Sequence, residues 1–267
     1  MTRRRLDAEL VRRKLADTRS AANRLITEGR VKVGGVVDPK PATMVSPEVP
    51  VEIIGPPPRF VGRGGDKLAH ALAMFSVDPS GRRAVDLGSS TGGFTDCLLQ
   101  NGAAHVTAVD VGTNQLDYRL RTDDRVSVHE QTNARSLDPA GIGGPFDIVV
   151  ADLSFISLEL VMATIAALAG PGADIVVLVK PQFEVGKGEV GRGGLVTDPA
   201  LWRSSIERVT ASAARHGLGA HGIAPSPLPG AVAGNREFLV WLRHGPGTLR
   251  PGDVDDAIAN SGEEAPA

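Results

Sequence analysis

Apolar positions near the start of the chain follow two helical patterns and then a strand pattern. Residues 6–15 and 18–28 place leucine, alanine and isoleucine side chains at helical spacing, which predicts two short helices. Gly29 is suited to the left-handed conformation that ends a helix. Residues 31–33 alternate like a strand and meet a glycine pair, and residues 49–54 repeat the strand pattern. This part of the chain is therefore expected to form a small α+β domain.

A different pattern begins near residue 83, where short apolar runs alternate with helical segments. The runs that predict strands are 84–87, 106–109, 126–128, 148–151, 175–179 and 238–242. Helical patterns cover residues 94–98 and 158–168, and Asp198-Pro199 is suited to begin another helix. Strands that are apolar along their whole length are typical of a parallel sheet with helices on both faces. An α/β domain with a mostly parallel sheet is expected.

Successive prolines after Gly55 separate the two patterns, because they favour neither helix nor strand. We therefore predict a small domain at 1–55, a linker at 56–65 and a larger domain at 66–245. Residues 246–267 are rich in acidic side chains, and we expect an acidic, flexible tail there.

Charge is distributed unevenly between the two parts. The chain has a net charge of −2, yet residues 1–60 contain 12 Lys and Arg against 7 Asp and Glu, whereas the remainder contains 17 against 24. A basic module attached to an acidic one indicates binding to a polyanion such as nucleic acid. The alternative is an ordinary charged helix surface.

Several protein classes are disfavoured by composition. Cys97 is the single cysteine and lies in an apolar helical pattern, so we expect a buried structural thiol. The six histidines lack metal-ligand spacing, and no metal is expected. No signal-peptide pattern opens the sequence, and no apolar run approaches about 18 residues, the length of a membrane helix. A cytoplasmic protein without a membrane partner is expected.

A glycine-rich segment, D-L-G-S-S-T-G-G-F at 86–94, joins the first strand of the larger domain to a helix. Glycines allow the backbone to approach a ligand closely, and the helix offers free N–H groups. Asp110 ends the next strand, where a carboxylate can accept hydrogen bonds from ribose hydroxyls. This arrangement suits NAD as well as S-adenosylmethionine, and the glycines could also serve packing alone.

Four ionisable residues follow the order Lys67, Asp152, Lys180, Glu237, which resembles the catalytic tetrad of ribose 2′-O-methyltransferases. The motifs G-G-D-K-L, D-L-G-S-S-T-G-G-F-T, D-L-S-F-I-S, V-K-P-Q-F-E-V-G-K-G and N-R-E-F together resemble the TlyA family. Its members are rRNA 2′-O-methyltransferases that were once called haemolysins. The resemblance spans nearly the whole chain. One departure is the linker 59–61, which has phenylalanine where some members have tryptophan.

The resemblance implies a Rossmann-like methyltransferase domain that binds S-adenosylmethionine. It implies a cofactor site formed by Asp86, Gly88, Ser89, Ser90, Gly92, Gly93, Phe94, Asp110, Asn133 and Asp152. Lys180 is the expected base for the ribose hydroxyl, with Asp152 orienting it and Lys67 and Glu237 positioning the ribose. A lysine must lose its proton to act as a base, which burial and a nearby cation favour.

The motifs L-D-A-E-L and T-R-S-A-A-N-R-L-I-T-E-G-R-V-K-V-G-G resemble the S4 RNA-binding domain, whose second helix and following turn present basic side chains to RNA. The RNA-binding candidates are Arg12, Arg13, Arg19, Arg24, Arg30, Lys32, Arg63, Lys187 and Arg192. The last two lie in the glycine-rich loop 186–194, which either closes over RNA or is a flexible connector.

The predicted function is therefore 2′-O-methylation of a ribose, by resemblance that of a cytidine, in ribosomal RNA within ribosomal subunits. Two alternatives belong to other classes of protein. One is a non-catalytic RNA-binding or ribosome-assembly factor, which the complete tetrad and glycine loop disfavour. The other is a membrane-active haemolysin, which the missing apolar segment disfavours.

Overall fold

The structure is a computed structural model that describes residues 3–16, 18–27, 29–37, 39–56, 58–186, 188–230 and 233–262. The chain divides into two compact units, residues 1–58 and residues 59–267, each with its own buried core.

The first unit packs two helices on small β-sheets. The helices are α1 (Leu6–Arg12) and α2 (Arg19–Thr27), and the strands are β1 (Arg4–Arg5), β2 (Val31–Val33), β3 (Val36–Val37), β4 (Met44–Val45) and β5 (Val51–Ile53). Strand β2 pairs antiparallel with β3 and β5, while β1 pairs with β4. Gly29 has a φ of +67° after α2, as its sequence position predicts. The first helix ends earlier than predicted, because Lys14 adopts a left-handed φ of +59°.

The second unit is built on one seven-stranded sheet. Its strands are β6 (Arg83–Leu87), β7 (His105–Val109), β8 (Val126–His129), β9 (Phe146–Ala151), β10 (Ala169–Val179), β11 (Leu218–Pro225) and β12 (Phe238–His244). They lie in the order β11-β12-β10-β9-β6-β7-β8; β12 pairs antiparallel with β10 and β11, and the other described pairs are parallel. The predicted α/β class with a mostly parallel sheet is confirmed.

Helices cover both faces of this sheet. They are α3 (Gly64–Phe75), α4 (Gly93–Gln100), α5 (Tyr118–Arg121), α6 (Met162–Leu168), α7 (Pro181–Glu184), α8 (Pro199–Arg215) and α9 (Asp253–Ala259). Asp198 caps α8 by accepting a hydrogen bond from the Ala200 amide at 2.9 Å. Cys97 is fully buried in α4, and burial raises the pKa of its thiol to about 12, as befits a structural residue.

Three features of the second unit differ from expectation. Strand β11 was not predicted, because its two interior glycines dilute the apolar pattern. Phe60 and Val61, assigned to the linker, are buried in the core of the unit. The acidic segment after residue 245 contains α9, whose Ala257 is buried, while residues 263–267 lie outside the described residues. In the parts of the chain that the structure describes, no helix has the length and apolar character needed to cross a membrane.

Candidate active site

The strand order reverses between β6 and β9, and the chain segments that leave these two strands approach each other closely. The amide of Asp152 donates to the carbonyl of Leu87 at 3.0 Å. Gly88 has a φ of +84°, and a Cβ atom there would lie 2.6 Å from the carbonyl oxygen of Asp152. Only glycine fits this position. Such a reversal at the carboxyl ends of the strands is where open α/β sheets bind ligands.

A cavity of about 500 Å³ opens at this point. Its lining combines the glycine loop, the two strand ends and the segment before β12. The lining residues are Arg63, Gly64, Lys67, Gly88, Ser89, Ser90, Thr91, Gly93, Phe94, Asp152, Ser154, Phe155, Lys180, Gln182, Phe183, Gly193, Gly194, Gly230, Ala233, Asn235 and Glu237.

Two ion pairs bring together the four residues predicted to be catalytic. The amino group of Lys180 lies 2.5 Å from Oδ1 of Asp152 and donates to Oγ of Ser154 at 3.0 Å. Lys67 on α3 pairs with Glu237, and both side chains are almost completely buried. Each ammonium group thus has a carboxylate partner, so the desolvation cost of burying either charge is offset locally.

Asp110 holds the glycine loop in shape. Its carboxylate accepts from the amide of Ser90 at 2.8 Å and from that of Gly112 at 2.7 Å. Ser90 adopts an unusual φ of +47°, which these contacts help to maintain. Asn133 accepts from the Arg135 amide at the start of a 3₁₀ turn. Asp110, Asn133 and Gly92 are expected in the cofactor site, but none of the three is among the residues that line the cavity.

Asp86 lies beneath the loop and has no exposed surface, so the structure does not support its predicted contact with a ligand. Its Oδ2 accepts from the amide and the hydroxyl of Thr95, at 3.0 and 2.7 Å, which ties β6 to α4. Burial, together with the charge of the neighbouring Asp152, raises the pKa of Asp86 to about 7 against these hydrogen bonds.

An aromatic pair stands at the cavity, and residue-by-residue reasoning from the sequence missed it. Phe155 is 92% exposed with a φ of +63°, and its ring lies 5.2 Å from that of Phe183. Exposed aromatic rings in strained backbone are uncommon without a functional reason. The motifs D-L-S-F-I-S and K-P-Q-F-E contain both residues, but exposure cannot be seen in a motif.

Ser154, Gln182 and Asn235 also line the cavity and were not singled out from the sequence. Asn235 is buried, accepting from the Val196 amide and donating to the Gly194 carbonyl, both at 2.8 Å. It therefore holds the end of the glycine-rich loop 186–194 and the chain just after it.

Buried carboxylates organise basic side chains in the first unit. Arg12 and Arg13 both bind Glu9, and Arg19 binds Asp7 at 3.1 Å. Hydrogen bonds from these arginines and from Arg5 lower the pKa of both carboxyls to about 2.

Two of the predicted RNA-binding arginines make structural contacts within their own unit. Arg13 donates to the carbonyl of Val49 at 2.8 Å, and Arg30 donates to those of Ile54 and Gly55 at 3.3 and 3.4 Å. These bonds fix the backbone on either side of β5 and leave less of each guanidinium for RNA. Arg24 and Lys32 are partly exposed.

The basic candidates of the second unit differ in their surroundings. Arg63 lines the cavity and donates to the Pro229 carbonyl at 3.3 Å, whereas Arg192 is exposed. Lys187 lies outside the described residues. Among the residues described, no three His, Cys, Asp or Glu side chains are grouped to hold a metal ion.

Comparison with known proteins assigns the chain to a family. Residues 60–244 match the FtsJ-like methyltransferase family, and residues 4–51 match the S4 domain. The chain is 49% identical to the 16S/23S rRNA (cytidine-2′-O)-methyltransferase TlyA of Mycobacterium tuberculosis, over 99% of each protein.

Solved structures agree with this result. A hemolysin-named protein from Streptococcus thermophilus is 38% identical and superposes with a TM-score of 0.78, over 98% of this chain and 96% of its own. An S-adenosylmethionine-dependent methyltransferase from Mesorhizobium loti is 16% identical with a TM-score of 0.51, over 68% of this chain and 100% of its own. At that identity the second likeness concerns the fold alone.

Proposed function

The chain belongs to the TlyA family of FtsJ-like methyltransferases, and on that basis we propose that it methylates the 2′-hydroxyl of a cytidine ribose in ribosomal RNA, using S-adenosylmethionine. The observation that carries the proposal is the convergence of Lys67, Asp152, Lys180 and Glu237 on one cavity beside the glycine loop.

The cavity suits the proposed cofactor. Its volume of about 500 Å³ lies within the range of small-molecule sites. The loop residues Gly88, Ser89, Ser90 and Gly93 would hold the cofactor, with Asp110 keeping their backbone in position. The carboxylate of Asp152 would favour a cationic ligand. When bound, the cofactor supplies a sulfonium-activated methyl group, which needs no metal to react.

The protein then has two tasks, which are to align the ribose hydroxyl and to remove its proton. We assign proton removal to Lys180, whose amine is held between Asp152 and Ser154. In its neutral form, Lys180 would accept the hydroxyl proton at Nζ, and the ribose oxygen would take the methyl group that leaves the cofactor's sulfur. The Lys67–Glu237 pair would hold the ribose by hydrogen bonds while adding no net charge.

RNA binding would involve both units. The S4 domain presents Arg12, Arg19 and Lys32, of which the two arginines are exposed and prearranged by buried carboxylates. At the cavity, Phe155 offers an exposed aromatic face on which a base can stack.

A labelling experiment tests the proposal. The protein is incubated with methyl-labelled S-adenosylmethionine and either ribosomal subunits or free rRNA, and the RNA is then hydrolysed in alkali. A 2′-O-methyl group blocks cleavage of the adjacent bond, so the label should appear in alkali-resistant dinucleotides and, after full digestion, in cytidine. Label on a base, or none in RNA with wild-type protein, would refute the proposal.

A further inference from the structure

Glu184 ends α7, four residues after Lys180, and is 3% exposed. Its Oε2 accepts from the hydroxyl of Ser157 at 2.6 Å, and its Oε1 accepts from the amide of Leu158 at 2.9 Å. One buried carboxylate thus joins the segment after β10 to the end of the segment that follows β9.

Arg208 on α8 joins the same two segments a second time. It donates to the carbonyl of Glu184 at 2.7 Å and to Oε1 of Glu159 at 2.6 and 3.0 Å. Ser157 also accepts from the Glu159 amide at 3.2 Å, which orients its hydroxyl toward Glu184. The carboxylate of Glu184 therefore binds the segment that follows β9, while its backbone carbonyl binds Arg208 of α8.

These contacts fix the far end of the loop 152–158. Its near end is held independently, because the Asp152 amide donates to Leu87. Between the two ends lies the exposed Phe155, whose ring contacts Phe183 beside Glu184. We propose that Glu184 is a positioning residue that holds the 152–158 loop against the Lys180 segment, so that Phe155 is presented to the RNA. The RNA part of this inference rests on the proposed function.

Hydrogen-bond geometry, rather than charge, is the property that Glu184 supplies. Burial raises the pKa of Glu184, with Glu159 adding to the rise while hydrogen bonds from Leu158 and Ser157, and the charge of Arg208, oppose it. Glutamine has the same shape, and it can accept from Leu158 and donate to Ser157, so it should preserve the loop. Leucine has a comparable volume but no acceptor, so it should release the loop.

The test compares Glu184→Gln and Glu184→Leu with the wild type in three measurements. Glu184→Leu should raise the KM for RNA by about tenfold or more, whereas the Kd for S-adenosylmethionine should stay within about twofold, since Asp152 keeps its bond to Leu87. Hydrogen exchange in peptides covering 153–158 should quicken. In Glu184→Gln all three values should stay within about threefold of the wild type.

Asp174 on β10 provides a matched control, because it is another buried carboxylate but accepts from Trp241 at 2.9 Å and from Arg82 at 2.7 Å, away from the cavity. Asp174→Leu should lower thermal stability without changing the KM for RNA. Should Glu184→Leu fail to fold, Ser157→Ala removes one of the two bonds and should show the same changes at smaller size.

Three results would overturn the inference: an unchanged KM for RNA in a folded Glu184→Leu, unchanged exchange in 153–158, or a glutamine variant as impaired as the leucine one. A wild-type protein that methylates no RNA would instead refute the proposed function. In that case, hydrogen exchange would still decide whether Glu184 holds the loop.

Discussion

The amino group of Lys180 lies 2.5 Å from a carboxylate oxygen of Asp152, although the two residues follow different strands of the sheet. Strands β9 and β10 are parallel neighbours, so their carboxyl ends meet at one edge. The pairing is therefore a consequence of topology. It places a potential base beside the glycine loop.

The role of Lys180 can be tested by changing its chemistry while keeping its charge. Arginine cannot deprotonate in a protein, so Lys180→Arg should lower kcat about as severely as Lys180→Ala, by at least about 10²-fold, if Lys180 is the base. Single-turnover methylation would measure this, with RNA and cofactor binding measured separately. Substantial activity in Lys180→Arg would mean that the residue acts only through its charge.

Phe155 should contribute to RNA binding and little to stability. Because its side chain is 92% exposed, Phe155→Ala removes almost no buried surface and should leave the melting temperature unchanged. Loss of a stacked base should weaken RNA binding by about 1–3 kcal/mol. Filter binding would measure the affinity for RNA, and calorimetry would measure the affinity for S-adenosylmethionine separately. Equal RNA affinity in the variant would show that no base stacks on this ring.

Asp110 should affect the cofactor through the loop that it holds. Asp110→Ala leaves the amides of Ser90 and Gly112 without their acceptors, so cofactor binding should weaken by about 1–3 kcal/mol. Asp110→Asn retains one acceptor oxygen, so its affinity for the cofactor should lie between those of the wild type and Asp110→Ala. Calorimetry would measure these affinities. Unchanged affinity, or preferential binding of NAD, would contradict the assignment of the loop.

Asp86 should make stability fall as the pH rises. Its pKa is raised from an ordinary value of 3.8 to about 7, so between these values the folded protein binds more protons than the unfolded chain. The contribution of Asp86 to the free energy of unfolding is fully present below about pH 4 and is lost as the pH rises through about 7. The free energy of unfolding, measured with urea at a series of pH values, should therefore fall more steeply across that interval in the wild type than in Asp86→Asn. Parallel pH profiles would show that Asp86 ionises normally.

Local patterns in the sequence determined the fold class and the family. The strands β6, β7, β9 and β12 could be predicted from their own residues, since a strand that is buried on both faces is apolar throughout. The cap at Asp198 and the turn at Gly29 are also local, and both were predicted correctly. The four residues predicted to be catalytic, all of which line the cavity, were found from motifs of this kind.

Only the tertiary structure decided what each polar side chain contacts. Arg13 and Arg30 were predicted to bind RNA but donate to backbone carbonyls of their own domain, and Asp86 supports the loop from below. The exposure of Phe155 and the contacts of Glu184 likewise depend on segments far apart in the chain. Helix and strand periodicities record which face is buried, because burial recurs at fixed spacing. The partner of a single polar group follows no period, so it becomes known only when the strands are assembled.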